Sequence, residues 1–273
     1  MSKLLSIIIP WCNRFEIKES LLKNKVFFVR HDLEIIIVNC SGQAEWLDEL
    51  CRSYALDNIK VIDIRQEVFN KSLAINLGAY KASSRTLFLL DADIIIKDDF
   101  IDAALSQLQD DRFICINRVY ESGSENGSSD QHAALEEIAY FIEIVANGKK
   151  LFVETNRVRF LEGSRSAPGL ILLSKNHFIA INGMNSDLQY WGWEDIDMQI
   201  RLQAMLNLSK YKLGSVIHIS HGDEVRNFRK NSRVESETTN FSICLSRYNI
   251  SNYHGSYSSD VKRFATYLVE KNF

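Results

Sequence analysis

Two aspartates separated by one residue, Asp91 and Asp93, directly follow the apolar run Thr86–Leu90. Carboxylates with this spacing at a strand end can hold one divalent cation, directly or through water, and hard oxygen ligands suit Mn²⁺ or Mg²⁺. Such a cation can neutralise negative charge on a departing phosphate group. The alternative interpretation is a turn or a helix N-cap, because aspartate is also favoured there. The pair therefore predicts a metal site only in combination with other groups.

Three further acidic residues, Glu194, Asp195 and Asp197, follow Trp191 and Trp193 at the predicted start of a helix. Acidic side chains stabilise a helix N-terminus as caps and through the helix dipole, but three of them exceed what capping needs. Since adjacent helical residues diverge by about 100°, one acid can cap while its neighbour faces a cleft. The tryptophans either belong to the core or offer flat faces on which sugar rings stack.

Two more polar groups lie at predicted strand ends. His218 and His221 come at the end of the predicted strand Ser215–Ile219, where imidazoles are either structural groups or metal ligands. Asn13 and Arg14 follow the first predicted strand. An arginine at that place can bind phosphate, and an asparagine can recognise a base or ribose edge.

Short apolar runs alternate with helix-like segments over the first 96 residues, which predicts an α/β fold with a mostly parallel sheet covered by helices on both faces. Right-handed crossovers would bring the strand C-termini to one edge, where open sheets bind ligands. The predicted strands are Leu5–Ile9, Leu33–Val38, Ile59–Ile64, Thr86–Leu90, Phe113–Val119, Leu170–Leu173 and Ser215–Ile219. The predicted helices are Glu16–Val29, Ala44–Tyr54, Lys71–Ala82, Phe100–Leu108, His132–Val145, Ile196–Leu206 and Asp260–Lys271, and a polar loop is predicted over Glu121–Gln131.

The overall composition of the 273 residues restricts the partners and the compartment. The formal net charge of −3 favours neither a nucleic acid nor an anionic membrane as a partner. Five scattered cysteines without CxxC or zinc-like spacing predict a reducing compartment, the cytoplasm. The apolar N-terminal run stops at Pro10 and is too short to span a membrane, so any membrane association is expected to be peripheral. The sequence gives no prediction of the oligomeric state.

Taken in order, these groups resemble motifs of the β-1,4-galactosyltransferase family and of related bacterial chondroitin-type polymerases, from about Ser6 to His221. The nucleotide loop and the donor segments of that family are similar to Ile9–Arg14, Phe69–Lys71 and Asn76–Gly78. Asp91–Asp93 is similar to the family's metal motif, and Ser174–Trp193 is similar to the stretch before its acceptor site. Glu194–Asp197 is similar to its acidic cluster, and His218–His221 is similar to its last metal ligands.

The resemblance implies a GT-A fold, with a Rossmann-like central sheet and a smaller acceptor-binding part. Residues 1–115 would form the nucleotide-sugar-binding half and residues 116–222 the acceptor-binding half of the same domain. Residues 223–273 would form a mobile lid segment and a C-terminal helix. The family's lid falls on Gly222–Thr239, and its closure on the donor would exclude water.

The resemblance also implies an inverting transfer of galactose, N-acetylgalactosamine or glucose from a UDP-sugar to a glycan, lipid-linked or peptide acceptor, with Mn²⁺ or Mg²⁺. Asp93, His221 and His218 would hold the metal, with His218 in place of a methionine. Asp195 would be the general base, supported by Glu194. The donor-binding residues would be Pro10, Asn13, Arg14, Asn39, Phe69, Lys71, Asn76, Asp91 and Trp193, and the acceptor-binding residues would be Tyr190, Trp191 and Trp193.

Two other functions are compatible with parts of the sequence. A degenerate GT-A module would bind a sugar nucleotide or a partner protein without turnover. The segment Phe88–Ile95 is also similar to the nucleophile loop of haloacid-dehalogenase phosphatases, although that loop follows the first core strand and three strands are predicted before this one.

Overall fold

The computed structural model describes residues 3–54, 57–97, 99–123, 134–222, 228, 230 and 232–273. The strands are β1 Leu5–Trp11, β2 Leu33–Cys40, β3 Ile59–Ile64, β4 Thr86–Leu89, β5 Ile94–Ile96, β6 Arg112–Glu121, β7 Glu137–Ala146, β8 Lys149–Arg159, β9 Ser164–Ser174, β10 Ser209–His218 and β11 Val269–Asn272. The helices are α1 Ile17–Lys23, α2 Lys25–Phe28, α3 Ala44–Tyr54, α4 Lys71–Lys81, α5 Phe100–Gln107, α6 Lys175–Ala180, α7 Glu194–Leu206, α8 Arg233–Asn249 and α9 Tyr257–Phe264.

One sheet joins the strands in the order β11-β3-β2-β1-β4-β9-β6-β10-β5, and the β7–β8 hairpin branches from β9. Strands β3, β2, β1 and β4 are parallel to one another, as predicted. Strand β9 is antiparallel to both of its neighbours and lies between β4 and β6, so it joins the first half of the sheet to the second.

Every residue of β1 and β2 is buried, because helices cover both faces of the sheet. Successive side chains of a strand point to opposite faces. Ile7 and Ile9 accordingly pack with Leu21 of α1 on one face, and Ile8 packs with Leu77 of α4 on the other. The continuous apolar runs in the sequence therefore predicted a two-sided core correctly.

The helix predicted over His132–Val145 is wrong, because Glu137–Ala146 forms strand β7. Ten cross-strand pairs with β8 hold this strand, and Asn147 and Gly148 make the turn with φ values of 52° and 71°. Two residues with positive φ are what a tight hairpin turn requires. Residues 132 and 133 of that prediction, and residues 124–131 of the predicted polar loop, lie outside the described residues.

The C-terminal prediction is correct only in part. Helix α9 covers Tyr257–Phe264, but the chain then forms strand β11, which pairs antiparallel with β3. The charged segment predicted as a lid overlaps helix α8, whose N-cap Ser232 accepts a hydrogen bond from the backbone of Glu235. Residues 223–227, 229 and 231 of that segment lie outside the described residues. The predicted helix Glu16–Val29 is divided at Asn24 into α1 and α2.

None of the helices in the described part of the chain combines the length and the apolar character needed to cross a bilayer.

Asn76, predicted to bind a donor, is instead a structural residue in the middle of α4. Its side chain is completely buried, donates hydrogen bonds to the Met184 carbonyl (3.0 Å) and the Asp260 carboxylate (2.7 Å), and accepts one from the Met184 amide (2.8 Å). These bonds fix the segment before α7 and the helix α9 against α4. Buried polar groups without partners are costly, so this amide is committed to the fold.

Replacement of Asn76 by alanine is expected to lower the free energy of unfolding by about 2–4 kcal/mol, because three buried hydrogen-bonding groups lose their partner. Urea denaturation measures this change, and Asn176→Ala on the exposed surface of α6 is the matched control. A stable Asn76→Ala variant that has lost affinity for UDP would contradict the structural assignment.

Candidate active site

A cleft of about 1020 Å³ opens at the C-terminal ends of β1 and β4. Its size is at the upper end of the range of roughly 300–1,000 Å³ that small-molecule sites occupy. The strand ends, the start of α4 and the start of α7 supply most of its polar groups. The predicted site residues that line it are Pro10, Arg14, Phe69, Lys71, Asp91, Asp93, Tyr190, Trp191, Trp193, Glu194, Asp195, His218 and His221.

Asp93, His218 and His221 form a cluster whose ligand atoms all lie within 4.8 Å of one another. Strand pairing brings them together, because the residue after Asp93, Ile94 of β5, is the antiparallel partner of His218 at the end of β10. The amide of Ile219 also donates to the Asp93 carbonyl (2.8 Å). Two distant segments thus meet through the backbone, and the side chains converge as a result.

Both histidines point the same ring nitrogen at Asp93. The Nδ1 of His218 hydrogen-bonds to Glu121 (2.7 Å), and the Nδ1 of His221 donates to the carbonyl of Gly222 (2.9 Å). Their Nε2 atoms lie 3.6 Å and 3.2 Å from Oδ2 of Asp93. In neutral rings these nitrogens carry lone pairs that repel the carboxylate unless a proton or a cation lies between them.

These three ligand atoms fit a divalent cation. A carboxylate and two imidazoles suit Mn²⁺, and a ligating histidine commonly donates its other ring nitrogen to a carboxylate or a carbonyl, as both do here. Glu121 has this supporting position behind His218 and is itself bound by Arg165 (2.9 Å). The sequence did not predict Glu121, because its position depends on the pairing of β6 with β10.

The charges in this cluster stabilise one another. Burial alone would lower the pKa of His218, but hydrogen bonds and charge from Asp93 and Glu121 raise it to about 9. Burial opposes ionisation of Asp93, yet the two histidines and Arg14 hold the pKa of Asp93 well below its ordinary value. A proton on His218 therefore occupies the place that a cation would take, and the two compete.

Arg14 is placed to receive an anion. Its Nη1 is 3.8 Å from Oδ2 of Asp93, and the Nη1 atom has no hydrogen-bond partner among the described residues. The turn that carries it is fixed by the Trp11 indole, which donates to the Arg14 carbonyl (2.7 Å), and by Asn13, which accepts from the Gln43 amide (2.7 Å). Arg14 lines the cleft, whereas Asn13 is used to shape the turn.

A second charged cluster surrounds the ammonium group of Lys71 at the start of α4. Its Nζ lies 3.1 Å from Asp91, 3.2 Å from Asp195 and 3.9 Å from Glu194. Although burial alone would lower the pKa of Lys71, these carboxylates hold it well above its ordinary value. One lysine therefore links the end of β4 to the start of α7.

The two acids at the start of α7 are unusually basic. Burial, and then the charge of Asp195, raise the pKa of Glu194 to about 7. Burial likewise raises the pKa of Asp195, although Lys71 opposes the shift. The Oε2 atom of Glu194 is buried without a hydrogen-bond partner in the described part of the chain. Carboxylates with raised pKa values in a cleft are suited to accept a proton near neutral pH.

Asp197, the third acid of this segment, belongs to the core. It is almost fully buried, pairs with Arg201 (2.8 Å) and accepts a hydrogen bond from the Tyr248 hydroxyl (2.6 Å). Arg201 in turn donates to the carbonyls of Ile181 and Gly183. The cluster of acids in the sequence therefore divides into one structural residue and two residues that face the cleft.

Gly169 on β9 is a cleft residue that the sequence did not predict. A Cβ atom at this position would overlap the Asp195 carboxylate and lie 3.0 Å from Nζ of Lys71. Only glycine leaves room for that ion pair. The available signal was the dipeptide Pro168-Gly169, because the chain has only two prolines and both line the cleft.

Aromatic residues before α7 form part of the cleft wall. Tyr190, Gly192 and Trp193 have φ values of 65°, 107° and 73°, so the chain makes an irregular turn just before α7. Trp193 packs on Phe241 of α8, with 4.4 Å between the ring centroids. Arg233, which also lines the cleft, lies 4.3 Å from the ring centre of Trp191. The turn thus presents flat faces at the cleft, stabilised from behind by α8.

Three predicted donor residues do not line the cleft: Asn13, Asn39 and Asn76. Asn39, the second-last residue of β2, donates to the Asp63 carboxylate (2.7 Å) and accepts from the Gly42 amide (2.7 Å). The structure therefore brings together thirteen of the predicted residues and uses the amides of these three to hold turns and helices in place.

Comparison with known proteins agrees with this geometry. A family model described as "Glycosyl transferase family 2" matches residues 6–178, and one described as "N-terminal domain of galactosyltransferase" matches residues 151–222. A curated relative, "Glycosyltransferase GlyG" of Streptococcus pneumoniae serotype 4, is 25% identical over 148 residues, which cover 51% of this chain and 48% of the relative. The chain thus spans about half the length of that relative.

Three solved structures share the fold. A mutant Drosophila β-1,4-galactosyltransferase 7, solved with manganese, UDP-Gal and xylobiose, has a TM-score of 0.50 at 15% identity and covers 86% of this chain and 79% of its own. GalNAc-T7, solved with UDP, GalNAc and Mn²⁺, has a TM-score of 0.60 at 13% identity, and the match covers 96% of this chain and 57% of GalNAc-T7. Residues 1–349 of S. aureus TarS have a TM-score of 0.52 at 13% identity, and the match covers 79% of this chain and 60% of the TarS chain. These similarities confirm the predicted GT-A fold.

The stability of the protein should fall as pH rises through the titration of Glu194. The folded state keeps this proton up to about pH 7, whereas an unfolded glutamate releases it near 4.5, so unfolding is favoured by up to roughly 3 kcal/mol across that interval. Thermal unfolding of Glu194→Gln between about pH 5 and 8 should show a shallower decline than the wild type. The exposed variant Glu49→Gln is the control, and parallel curves for Glu194→Gln and the wild type would refute the assignment.

Proposed function

The chain belongs to glycosyl transferase family 2, and on this basis we propose that it transfers a hexose from a UDP-sugar to an acceptor hydroxyl, with inversion and with a divalent cation. One observation carries the proposal. A single cleft joins the cation-type cluster of Asp93, His218 and His221 to the basic carboxylates of Glu194 and Asp195. The first cluster suits a nucleoside diphosphate, and the second suits a hydroxyl that must lose its proton.

Asp93, His218 and His221 would hold Mn²⁺ or Mg²⁺, which when bound neutralises negative charge on the diphosphate. Arg14 and Lys71 would add positive charge on either side of that group. Asp91, which is more exposed than Asp93, would contact the ribose or the donor sugar. Pro10 and Phe69 would form the apolar part of the donor site.

Asp195 would act as the general base. Its carboxylate would take the proton of the acceptor hydroxyl while that oxygen attacks the anomeric carbon. The new C–O bond forms as the bond between the anomeric carbon and the phosphate oxygen breaks, and UDP departs on the opposite face. Glu194 would support this base, and Trp193 and Trp191 would hold sugar rings beside this position, with Tyr190 at the acceptor end.

The donor sugar is proposed to be galactose, with N-acetylgalactosamine and glucose as the alternatives. Support comes from the fold neighbours, two of which were solved with UDP-Gal or with UDP and GalNAc, both with manganese. The acceptor is proposed to be a glycan, a lipid-linked sugar or a peptide. Within this scheme, residues 1–115 bind the donor, residues 116–222 bind the acceptor, and residues 223–273 contribute the closing segment.

The phosphatase alternative does not suit this fold, because the strand before Asp91 is the fourth along the chain and lies between β1 and β9. The binding-module alternative predicts a different outcome in solution. Tight binding of a UDP-sugar by the wild type, with neither transfer nor donor hydrolysis, would favour a module without turnover.

Binding of Mn²⁺ should strengthen as pH rises. His218 carries a proton up to about pH 9, and the cation must displace it, so the affinity should increase by about tenfold per pH unit below that value. Isothermal titration calorimetry at about pH 6 and about pH 8 would measure the affinity and the proton release. Asp93→Ala should abolish binding and the exposed Asp110→Ala should preserve it, whereas equal affinity at both pH values would contradict the role of His218.

Replacement of Asp195 by asparagine should lower the rate of transfer by about a thousandfold, since the base is lost while the shape of the side chain is kept. Binding of UDP and Mn²⁺ should survive, because the metal cluster does not include this residue. Sugar transfer and UDP release should be measured in parallel, with the exposed variant Asp187→Asn as control. Transfer by Asp195→Asn at the wild-type rate would remove Asp195 from the mechanism.

A further inference from the structure

The β7–β8 hairpin carries an exposed aromatic side chain beside the cleft. Tyr140 of β7 is the direct cross-strand partner of Asn156 of β8, and Asn156 lines the cleft. Direct partners in an antiparallel pair project to the same face of the sheet. The side chain of Tyr140 is 55% exposed, so its ring lies in solvent next to the cleft wall.

Two further contacts identify this face of the hairpin. Ile142, two residues along β7, shares the face of Tyr140 and packs against the core cluster on which Trp193 also packs. Thr155, which also lines the cleft, donates its hydroxyl to the Tyr140 carbonyl (3.3 Å). The register of the hairpin shifts between Tyr140 and Phe141, where Thr155 is left unpaired. Tyr140 therefore lies on the cleft side and is fixed by a cleft residue.

We propose that this face is an outer acceptor subsite, in which Tyr140 stacks on a second sugar ring of a glycan acceptor. The inference rests on the glycosyl transfer proposed above and names its acceptor class: an oligosaccharide that extends beyond the ring receiving the hexose. Asp195 would lie at the first ring, and Tyr140 would contact the next.

The cleft wall between Asp195 and Tyr140 has side chains that suit a carbohydrate. A sugar ring presents a flat C–H face, which stacks on an aromatic ring, and a rim of hydroxyls, which need donors and acceptors. Thr155, Asn156 and Ser166 supply such groups along the cleft wall, and the Ser166 hydroxyl is 3.4 Å from the Asn156 amide oxygen.

The opposite face of the same hairpin provides a control. Phe141 and Phe152 stack there with 4.6 Å between ring centroids, beside the ion pair of Lys150 with Glu143 (3.0 Å). None of these four residues lines the cleft. Phe152 is 67% exposed, against 55% for Tyr140, so its replacement removes an exposed aromatic ring from the same hairpin without touching the subsite.

The experiment compares Tyr140→Ala, Tyr140→Phe and Phe152→Ala with the wild type. The probes are methyl glycosides in matched pairs, a monosaccharide and a disaccharide that share the same terminal glucose, N-acetylglucosamine, galactose or xylose. Tyr140→Ala should raise the KM for the accepted disaccharide by about tenfold and leave the KM for its monosaccharide unchanged. Tyr140→Phe should keep the wild-type KM values, because the ring remains, and so should Phe152→Ala.

Donor hydrolysis, measured as UDP release without acceptor, separates failure of the inference from failure of the proposed function. An equal change for both members of a pair, or no change for either, overturns the subsite. Donor hydrolysis without transfer to any glycan of the panel overturns it as well, since the acceptor would then belong to another class. A wild type that neither hydrolyses nor transfers the donor would refute the proposed function, and the subsite with it.

Discussion

The burial of one ammonium group, that of Lys71, among three carboxylates is the constraint on which the cleft depends. Asp91, Glu194 and Asp195 come from two segments far apart in sequence, and without a shared cation their negative charges would repel one another at this distance. The requirement reaches into the sheet, because Gly169 has to lack a side chain for the ion pair to form. The ammonium group of Lys71 therefore joins the end of β4, on the proposed donor side, to the start of α7, on the proposed acceptor side.

The cation cluster of Asp93, His218 and His221 is also stabilised by opposite charges, but the positive groups are different. There the carboxylate of Asp93 is balanced by Arg14 and by the proton on His218. Each cluster thus sets positive charge from the protein itself against its carboxylates. In the Lys71 cluster the positive charge is permanent, whereas in the cation cluster the proton on His218 can be exchanged for a metal. Glu121 keeps His218 oriented in either state.

The sequence predicts the strands and motifs whose signals are local. The apolar runs of β1 to β4 and the order of the acidic and histidine motifs needed no knowledge of distant pairing. The assignment of His132–Val145 failed because its apolar run suits a helix as well as a strand, and only the partner strand β8 decides between them. Glu121 and Gly169 gain their roles from pairing across the sheet, and the amide of Asn76 looks the same in sequence whether it binds a ligand or the core.

Strand β9 gives the molecule a mechanical property. Because it pairs with β4 on one side and β6 on the other, a bend of the sheet at this strand would break ladder hydrogen bonds. Movement that accompanies binding is therefore expected in elements that lie off the sheet, such as helix α8. Asp195 itself lies on α7, but its ion pair with Lys71 and its close approach to Gly169 tie it to β9. The separation between the cation cluster and the carboxylates of α7 is therefore set by the sheet.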